Sequence, residues 1–538
     1  MSFNARIQFL ILSLLCIGAF FVNLGTGFPD IMESRNFISA REMVEHGNWW
    51  FTTMNLEPRL EKPPLPTWLT AISAMIYGSF DSLFVLRLPS ALIASLMVYF
   101  MYRFTQTISS AKYLPFISAS VLATSLLIIQ QARTNSWDIY PHVFLLGSVW
   151  QMLVAFEKNS KKALFFSTIL MAASVLSKGP VGLYAFWLPF VLAFGFSEHG
   201  AKLKENKYKI LLLLLVGLLL GFSWRLGVTF NQPEVSEHVI NKELTAWGGR
   251  HVRPFYFYLH FFLYIGIWVI FLLASFFYRY AKPRIDQNAK QYRFILLWIV
   301  FSFILLSVVP TKKERYLLPM LVPMALMVAY LLNGIYVKMK QASLSKLDRL
   351  VMGMHTFLVY PIALLAPFIL LIQDVYPYDT LTLIALFLIS LLGFVGLWSW
   401  KKNSLSGSFF VTLGLVLVFC VGVLPQSTEW SYDNYDRVSL DSIRHDPRIE
   451  QETIYMYYEQ ADPRVVWLIG KAIQRPSEQL FKEPAEYPFV YASLQEGLAD
   501  VQKKALSNAR VEQLGTFDFF PNEVSWKLNV YYLEAPAP

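Results

Sequence analysis

From residue 7 to residue 424 the chain is a succession of apolar runs broken by short charged connections, many of the runs long enough to cross a hydrocarbon core of about 30 Å. The runs fall at 7–28, 84–105, 113–131, 138–156, 163–177, 181–197, 208–226, 255–278, 294–310, 316–334, 351–373, 380–400 and 408–424. They predict about thirteen transmembrane helices, an α-helical polytopic membrane protein. The first run follows Arg6 and lacks a convincing small-x-small cleavage site, so it reads as a retained helix that starts in the cytoplasm, with a cleaved signal peptide as the competing reading. Beyond residue 424 the pattern changes. Short β-like segments at 454–458, 465–469, 489–492 and 528–533, with a helical stretch at 494–506, predict a small α/β domain. The chain thus divides into a transmembrane domain, 1–424, and a C-terminal domain, 425–538. Neither internal repeats nor low-complexity tracts are evident, which argues against a transporter built from inverted repeats.

Composition narrows the class. With 55% hydrophobic and 15% charged residues, a soluble protein is excluded. Cys16 and Cys420 both lie in apolar runs, so neither a disulfide framework nor a four-ligand metal site is available to them. A net charge of +9 would suggest nucleic acid in a soluble protein, but here its distribution accounts for it. Alternate connections hold Arg103, Lys112, Lys158, Lys204, Lys209, Lys282, Lys338, Lys346 and Lys401 among others, with few acids. Basic residues near span ends resist translocation, so these connections are cytoplasmic and no nucleic-acid partner is implied. The loops 29–83 and 227–254 and everything after 424 then face outward.

Cations in the short outward connections break that rule: Arg133, Lys178, Lys312, Lys313 and Arg315. Any one could snorkel or meet a lipid headgroup. Gathered at the outer ends of several helices, they suit a phosphate at the membrane surface. The first outer loop is the most densely charged, with Asp30, Glu33, Arg35 and Arg41 followed by Glu61 and Lys62 beside a proline-rich turn. Asp30 stands where an N-cap would, Glu33 at the third helical position and Gly47 at the end, so a capping box competes with any chemical role. Trp49, Trp50 and Trp68 read as interfacial anchors, and 66–77 is too short to span, so the loop lies along the membrane surface. Asp138 opens the fourth helix, where capping that helix or complementing its dipole competes with a chemical role. The loop 227–254 adds His251 and Arg253 beside aromatics. HExxH, paired CxxC, Walker and GxSxG elements are missing, so metalloprotease, ATPase and serine hydrolase readings lack support.

In this order the motifs resemble the lipid-to-acceptor glycosyltransferases of the GT-C fold, specifically the lipid A aminoarabinose transferase family, akin to the protein O-mannosyltransferases. The acidic start of the first loop is represented by Asp30, Glu33 and Arg35, the Glu-Lys-Pro element by Glu61, Lys62 and Pro63, and the second-loop Asp by Asp138. Lys178 and Gly179 resemble the Lys-Gly element, His251 to Tyr256 the segment before the next helix, and Lys312 to Pro319 the Lys-x-x-Arg-Tyr-x-x-Pro element. The family places Asp directly before Glu, whereas Ile31 and Met32 separate Asp30 from Glu33, so which of them is the base stays open.

The resemblance implies an inverting enzyme of the bacterial inner membrane, active at the periplasmic face, with its C-terminal domain there too. It would move a sugar from a polyprenyl-phosphate donor to a hydroxyl or phosphate on lipid A, protein or glycan. Asp30 is then the expected base, with Glu33 and Asp138 as rivals or orienting groups. Arg35, Lys62, Lys178, His251, Arg253, Lys313 and Arg315 are candidates for the donor phosphate, supported by Glu61 and Tyr316. No cofactor and no metal ligands are assigned, and metal dependence is left open. Two other classes compete. A lipid-linked-sugar transporter or flippase predicts charges near the bilayer midplane, where these spans are apolar. An assembly protein acting through its outer domain leaves the first-loop charges unexplained.

Overall fold

A computed structural model of the chain describes residues 4–249, 251–285, 291–373, 379–425, 444–446, 452–456, 462–476, 487–493, 509–518 and 527–535. They divide into two compact units, Met1–Gly25 with Leu60–Leu69 and Ser82–Gln426, and Thr26–Arg59 with Thr70–Asp81 and Ser427–Pro538.

The first unit is helical. Among the described residues eight helices are long and apolar enough to cross a membrane, and up to ten if two bent pairs each make one span, against the thirteen expected. Three further expected spans are helices outside that set. Ala5–Phe21 and Leu183–Gly195 are shorter, and Lys161–Lys178 opens with two lysines. Leu321–Lys340 forms the centre, buried along most of its length against its neighbours. Two breaks meet beside it. The pair Leu114–Ala123 and Leu126–Ala132 bends by 63°, where the Thr124 and Ser125 hydroxyls donate back to the Ser120 and Val121 carbonyls, both at 2.7 Å. Such back-bonding diverts helix carbonyls and bends helices. Facing it, Gly266 takes φ +67°, and a Cβ there would stand 3.3 Å from the Leu126 nitrogen, so only glycine fits. Trp268 Nε1 donates to Thr124 Oγ1 at 2.9 Å across the junction.

In the second unit the expected helix of the first loop runs Ile31–His46, capped by Asp30 and ended by Gly47 at φ +73°. A hairpin, Thr53–Met54 with Glu57–Pro58, follows. Among the described residues five strands form one sheet in the order Ile473–Gln474, Ile454–Met456, Phe489–Ser493, Lys527–Glu534, Arg510–Asp518, parallel at the first two pairings and antiparallel at the last two. The β-like segments at 454–458, 489–492 and 528–533 contain strands. The segment 465–469 does not: Pro463–Ile469 is a helix, because Asp462 Oδ1 accepts the Arg464 N–H at 2.8 Å, Pro463 opens the first turn and Gly470 closes it at φ +76°. Strands 473–474 and 510–518 were not anticipated, and 494–506 lies outside the described residues. Trp467 of that helix packs on Phe37 and Phe28, with ring centroids 5.9 and 6.2 Å apart.

Thirteen residues, Leu65–Tyr77, make a helix of about 20 Å at 1.5 Å per residue, short of the hydrocarbon thickness as expected.

Candidate active site

Three chain segments bring Asp138, Lys178 and Arg315 together in the first unit. Asp138 immediately precedes the helix Ile139–Lys158 but makes no capping hydrogen bond. Its carboxylate, 3% exposed, faces two cations instead: Lys178 Nζ donates to Oδ1, and Arg315 Nε lies 3.2 Å from Oδ2. Burial pushes the Asp138 carboxyl up, but Lys178 and Arg315 outweigh it and hold the group at about 2, below the ordinary carboxylate range. Both cations favour the anionic form of the carboxylate.

Local sequence explains the placement. Lys178 ends its helix because Gly179 takes φ +67° and ψ −152°, a region open essentially to glycine alone. The chain turns directly after the lysine, leaving its ammonium at the helix end. Arg315 and Tyr316 sit in the short 3-10 helix Glu314–Met320, and the Tyr316 ring lies 5.2 Å from Lys178 Nζ. Lys62 is near enough to act electrostatically on Lys178. The segment carrying Lys62 is tied down by Arg225, whose guanidinium donates to the Leu60 carbonyl at 3.0 Å, and by Lys242, whose ammonium pairs with Glu61 at 2.8 Å.

His251 and Arg253 join the same unit through their backbones. Val252 bridges Thr311, the Arg253 N–H donates to the Pro310 carbonyl at 3.1 Å, and the Lys312 N–H donates to the His251 carbonyl at 3.1 Å. Both side chains are exposed. Lys312, 3% exposed, has its ammonium on the Val309 and Arg253 carbonyls and serves as a staple. Lys313 is half-buried, its peptide held by the Tyr258 hydroxyl. Arg133 is not part of the cluster: it donates to the Val22 and Asn23 carbonyls, both at 2.9 Å, at the end of the first helix.

In the second unit Asp30 and Glu33 form a capping box. Asp30 Oδ1 accepts the Met32 and Glu33 N–H groups at 2.6 and 2.8 Å, and Glu33 Oε2 accepts the Asp30 N–H at 3.3 Å. Asp30 is exposed and Glu33 is buried. Arg35 is half-buried, with its Nε lacking a hydrogen-bond partner among the described residues.

Three residues escaped the sequence reading. Glu42, 1% exposed, accepts from Thr53 Oγ1 at 2.7 Å. Lys242 is the partner of Glu61. His142, one turn after Asp138, is buried with Nδ1 unbonded among the described residues and acts electrostatically on Asp138. Only His142 carried a signal, the four-residue spacing from Asp138. Among the described residues no group of three or more His, Cys, Asp or Glu side chains is arranged to hold a metal ion.

Residues 61–224 match the dolichyl-phosphate-mannose-protein mannosyltransferase family. The undecaprenyl phosphate-alpha-4-amino-4-deoxy-L-arabinose arabinosyl transferase 2 of Pseudomonas fluorescens is 25% identical over 69% of this chain, and the match spans 63% of that relative's length. The crystal structure of ArnT from Cupriavidus metallidurans bound to undecaprenyl phosphate superposes with a TM-score of 0.72 over 98% of each chain at 15% identity. The oligosaccharyltransferase AglB of Archaeoglobus fulgidus gives 0.52, over 97% of this chain and 75% of that one, at 11% identity. The chain is thus a multi-pass protein with the GT-C fold, similar in sequence and structure to the undecaprenyl-phosphate aminoarabinose transferases.

Proposed function

We propose that the chain is an inverting glycosyltransferase of the bacterial inner membrane. It moves a sugar from a polyprenyl-phosphate donor to an acceptor hydroxyl or phosphate on lipid A, protein or glycan at the periplasmic face, where its C-terminal α/β domain also lies. The observation that carries this reading is the buried Asp138 with Lys178 and Arg315 upon it and Lys62 in electrostatic reach. Positive charge collected at helix ends is what a departing lipid phosphate requires.

In the transfer, a bond forms between the acceptor oxygen and the anomeric carbon while the bond from that carbon to the donor phosphate oxygen breaks. The acceptor proton passes to a carboxylate, and the lipid phosphate leaves with the electron pair. Asp138, engaged by both Lys178 and Arg315, suits orienting those cations. Asp30 is assigned as the base, with Glu33 as its rival. Arg35, Lys62, Lys178, His251, Arg253, Lys313 and Arg315 are assigned to the phosphates of the donor; Glu61, through Lys242, supports the segment that carries Lys62, and Tyr316 lies against Lys178. Undecaprenyl-phosphate-linked 4-amino-4-deoxy-arabinose is the first donor to assay, given the relatives. Mass spectrometry of lipid A and periplasmic glycoproteins from a deletion strain tests the reading: one class should lack a sugar, and unchanged profiles throughout would overturn it.

Two further results are expected. Lys62→Ala, Lys313→Ala and Arg315→Ala should each lower transfer about ten-fold or more, since one charged hydrogen bond contributes about 1.5 to 3 kcal/mol. Steady-state kinetics with the lipid donor checks this, and unchanged constants in all three would assign them to headgroup contacts. Tags beside Lys204, Lys282 and Lys346 should report cytoplasm and a C-terminal tag the periplasm, by the distribution of basic residues. A cytoplasmic C-terminus would contradict the proposed orientation.

A further inference from the structure

Two peptide-like hydrogen bonds join the hairpin of the first loop to the edge of the five-stranded sheet. Asn55 Nδ2 donates to the Ile473 carbonyl at 2.7 Å, and the Ile473 N–H donates to Asn55 Oδ1 at 2.6 Å. Strand Ile473–Gln474 is an edge strand of the sheet, so a side-chain amide occupies the place of a neighbouring backbone. The turn that presents this amide is strained. Asn55 and Leu56 take φ +56° and +63°; asparagine tolerates this, whereas leucine stands where such turns usually have glycine.

That conformation is held from the other side. The Leu56 N–H donates to both carboxylate oxygens of Glu42 at 3.2 Å, and Thr53 Oγ1 donates to the same carboxylate. Glu42 lies on the helix Ile31–His46, the one that begins at Asp30 and carries Glu33 and Arg35. The contacts run without interruption from the sheet edge through Asn55, Leu56 and Glu42 to that helix. Trp467 packing on Phe28 and Phe37 already buries apolar area there. Ring contacts are non-directional, whereas a paired amide fixes register. A buried carboxylate engaged by a strained two-residue turn is a device for position, since strain persists where its surroundings over-determine it.

We propose that Asn55 is a positioning residue for the transfer reaction: its amide fixes the helix that begins at Asp30 against the sheet and so sets where the base stands. This rests on the catalytic role given to the first loop above. Misplacing a reacting group by about 1 Å can cost about 100-fold in rate, so a clamp far from the chemistry affects turnover.

Asn55→Gly keeps the turn and removes both bonds, Asn55→Asp keeps only the acceptor, and Leu56→Gly relieves the strain while keeping its N–H. The full-length protein in detergent is assayed with undecaprenyl-phosphate-linked 4-amino-4-deoxy-arabinose and lipid A, alongside hydrogen exchange over 31–46. Asn55→Gly should lower kcat about ten-fold with donor KM unchanged, raise amide exchange over 31–46 about ten-fold, and shift Tm by less than about 2 °C. Asn55→Asp should fall between, and Leu56→Gly should keep wild-type kcat. Unchanged exchange in Asn55→Gly overturns the clamp whatever the activity. Faster exchange with unchanged kcat, or parallel loss of kcat, donor affinity and Tm, overturns the positioning role. Wild-type protein that transfers no sugar speaks against the function reading alone, because the exchange arm does not depend on it.

Discussion

Asp138→Asn is expected to destabilise the unliganded protein by about 3 to 5 kcal/mol, because removing one partner of a buried ion pair leaves the other charge uncompensated. Lys178, whose side chain is 13% exposed, and Arg315, at 21%, would then face each other and Lys62 without an anion between them. On the proposed function, the lipid phosphate of the donor would supply that anion. Thermal unfolding in detergent should therefore show a lower Tm for the variant and a larger rise on adding the lipid than in wild type. Identical unfolding with and without lipid would mean that the phosphate does not meet these cations.

The pH dependence follows from the same group. Its folded pKa is depressed to about 2, so its contribution to stability is present above the ordinary value of about 3.9 and lost only as pH falls through about 2. The stability difference between wild type and variant should stay level between about pH 5 and 8. Any activity limb in that window belongs to another group.

Local signals were legible where they were complete. The helix Ile31–His46 was readable to its ends because an N-cap, a third-position glutamate and a closing glycine all occur within it. Pro463–Ile469 carries the same kind of marks, Asp462, Pro463 and Gly470, but its Val-Val-Trp-Leu-Ile run reads as strand when the apolar pattern is weighed first. Arg510–Asp518 was missed because its register shifts between Gln513 and Gly515, which breaks the alternation that marks a strand.

The site divides in the same way. Cations at helix ends were visible as violations of charge topology, yet nothing in the sequence says which meets which. Asp138 is 40 residues from Lys178, and Arg315 lies further still. Arg133 and Lys312 look identical to Lys178 in sequence, but both are used up on backbone carbonyls. Glu42 and Asn55 were illegible because their partners are turn amides and a strand edge.

Asp30→Asn is expected to reduce turnover about 100-fold to 10,000-fold, the usual contribution of a general base. The carboxylate caps its helix, since Oδ1 accepts the Met32 and Glu33 N–H groups. Capping and proton transfer nonetheless separate chemically. Asparagine is as good an N-cap as aspartate, so the substitution should cost little stability. A neutral amide cannot take the acceptor proton, and the substitution leaves the cations proposed for donor binding in place, so turnover should fall at unchanged affinity for the lipid. Glu33→Gln is the informative comparator. Glutamine also completes a capping box, so it too should preserve the helix while removing a carboxylate. Rates, donor affinity and Tm are measured on both variants in one detergent. If Asp30→Asn turns over normally and Glu33→Gln does not, the base is Glu33 and Asp30 is only a cap. If both lose activity while remaining folded, both carboxylates serve the reaction, because glutamine at position 33 would still accept the Asp30 N–H and lost capping would not account for the result.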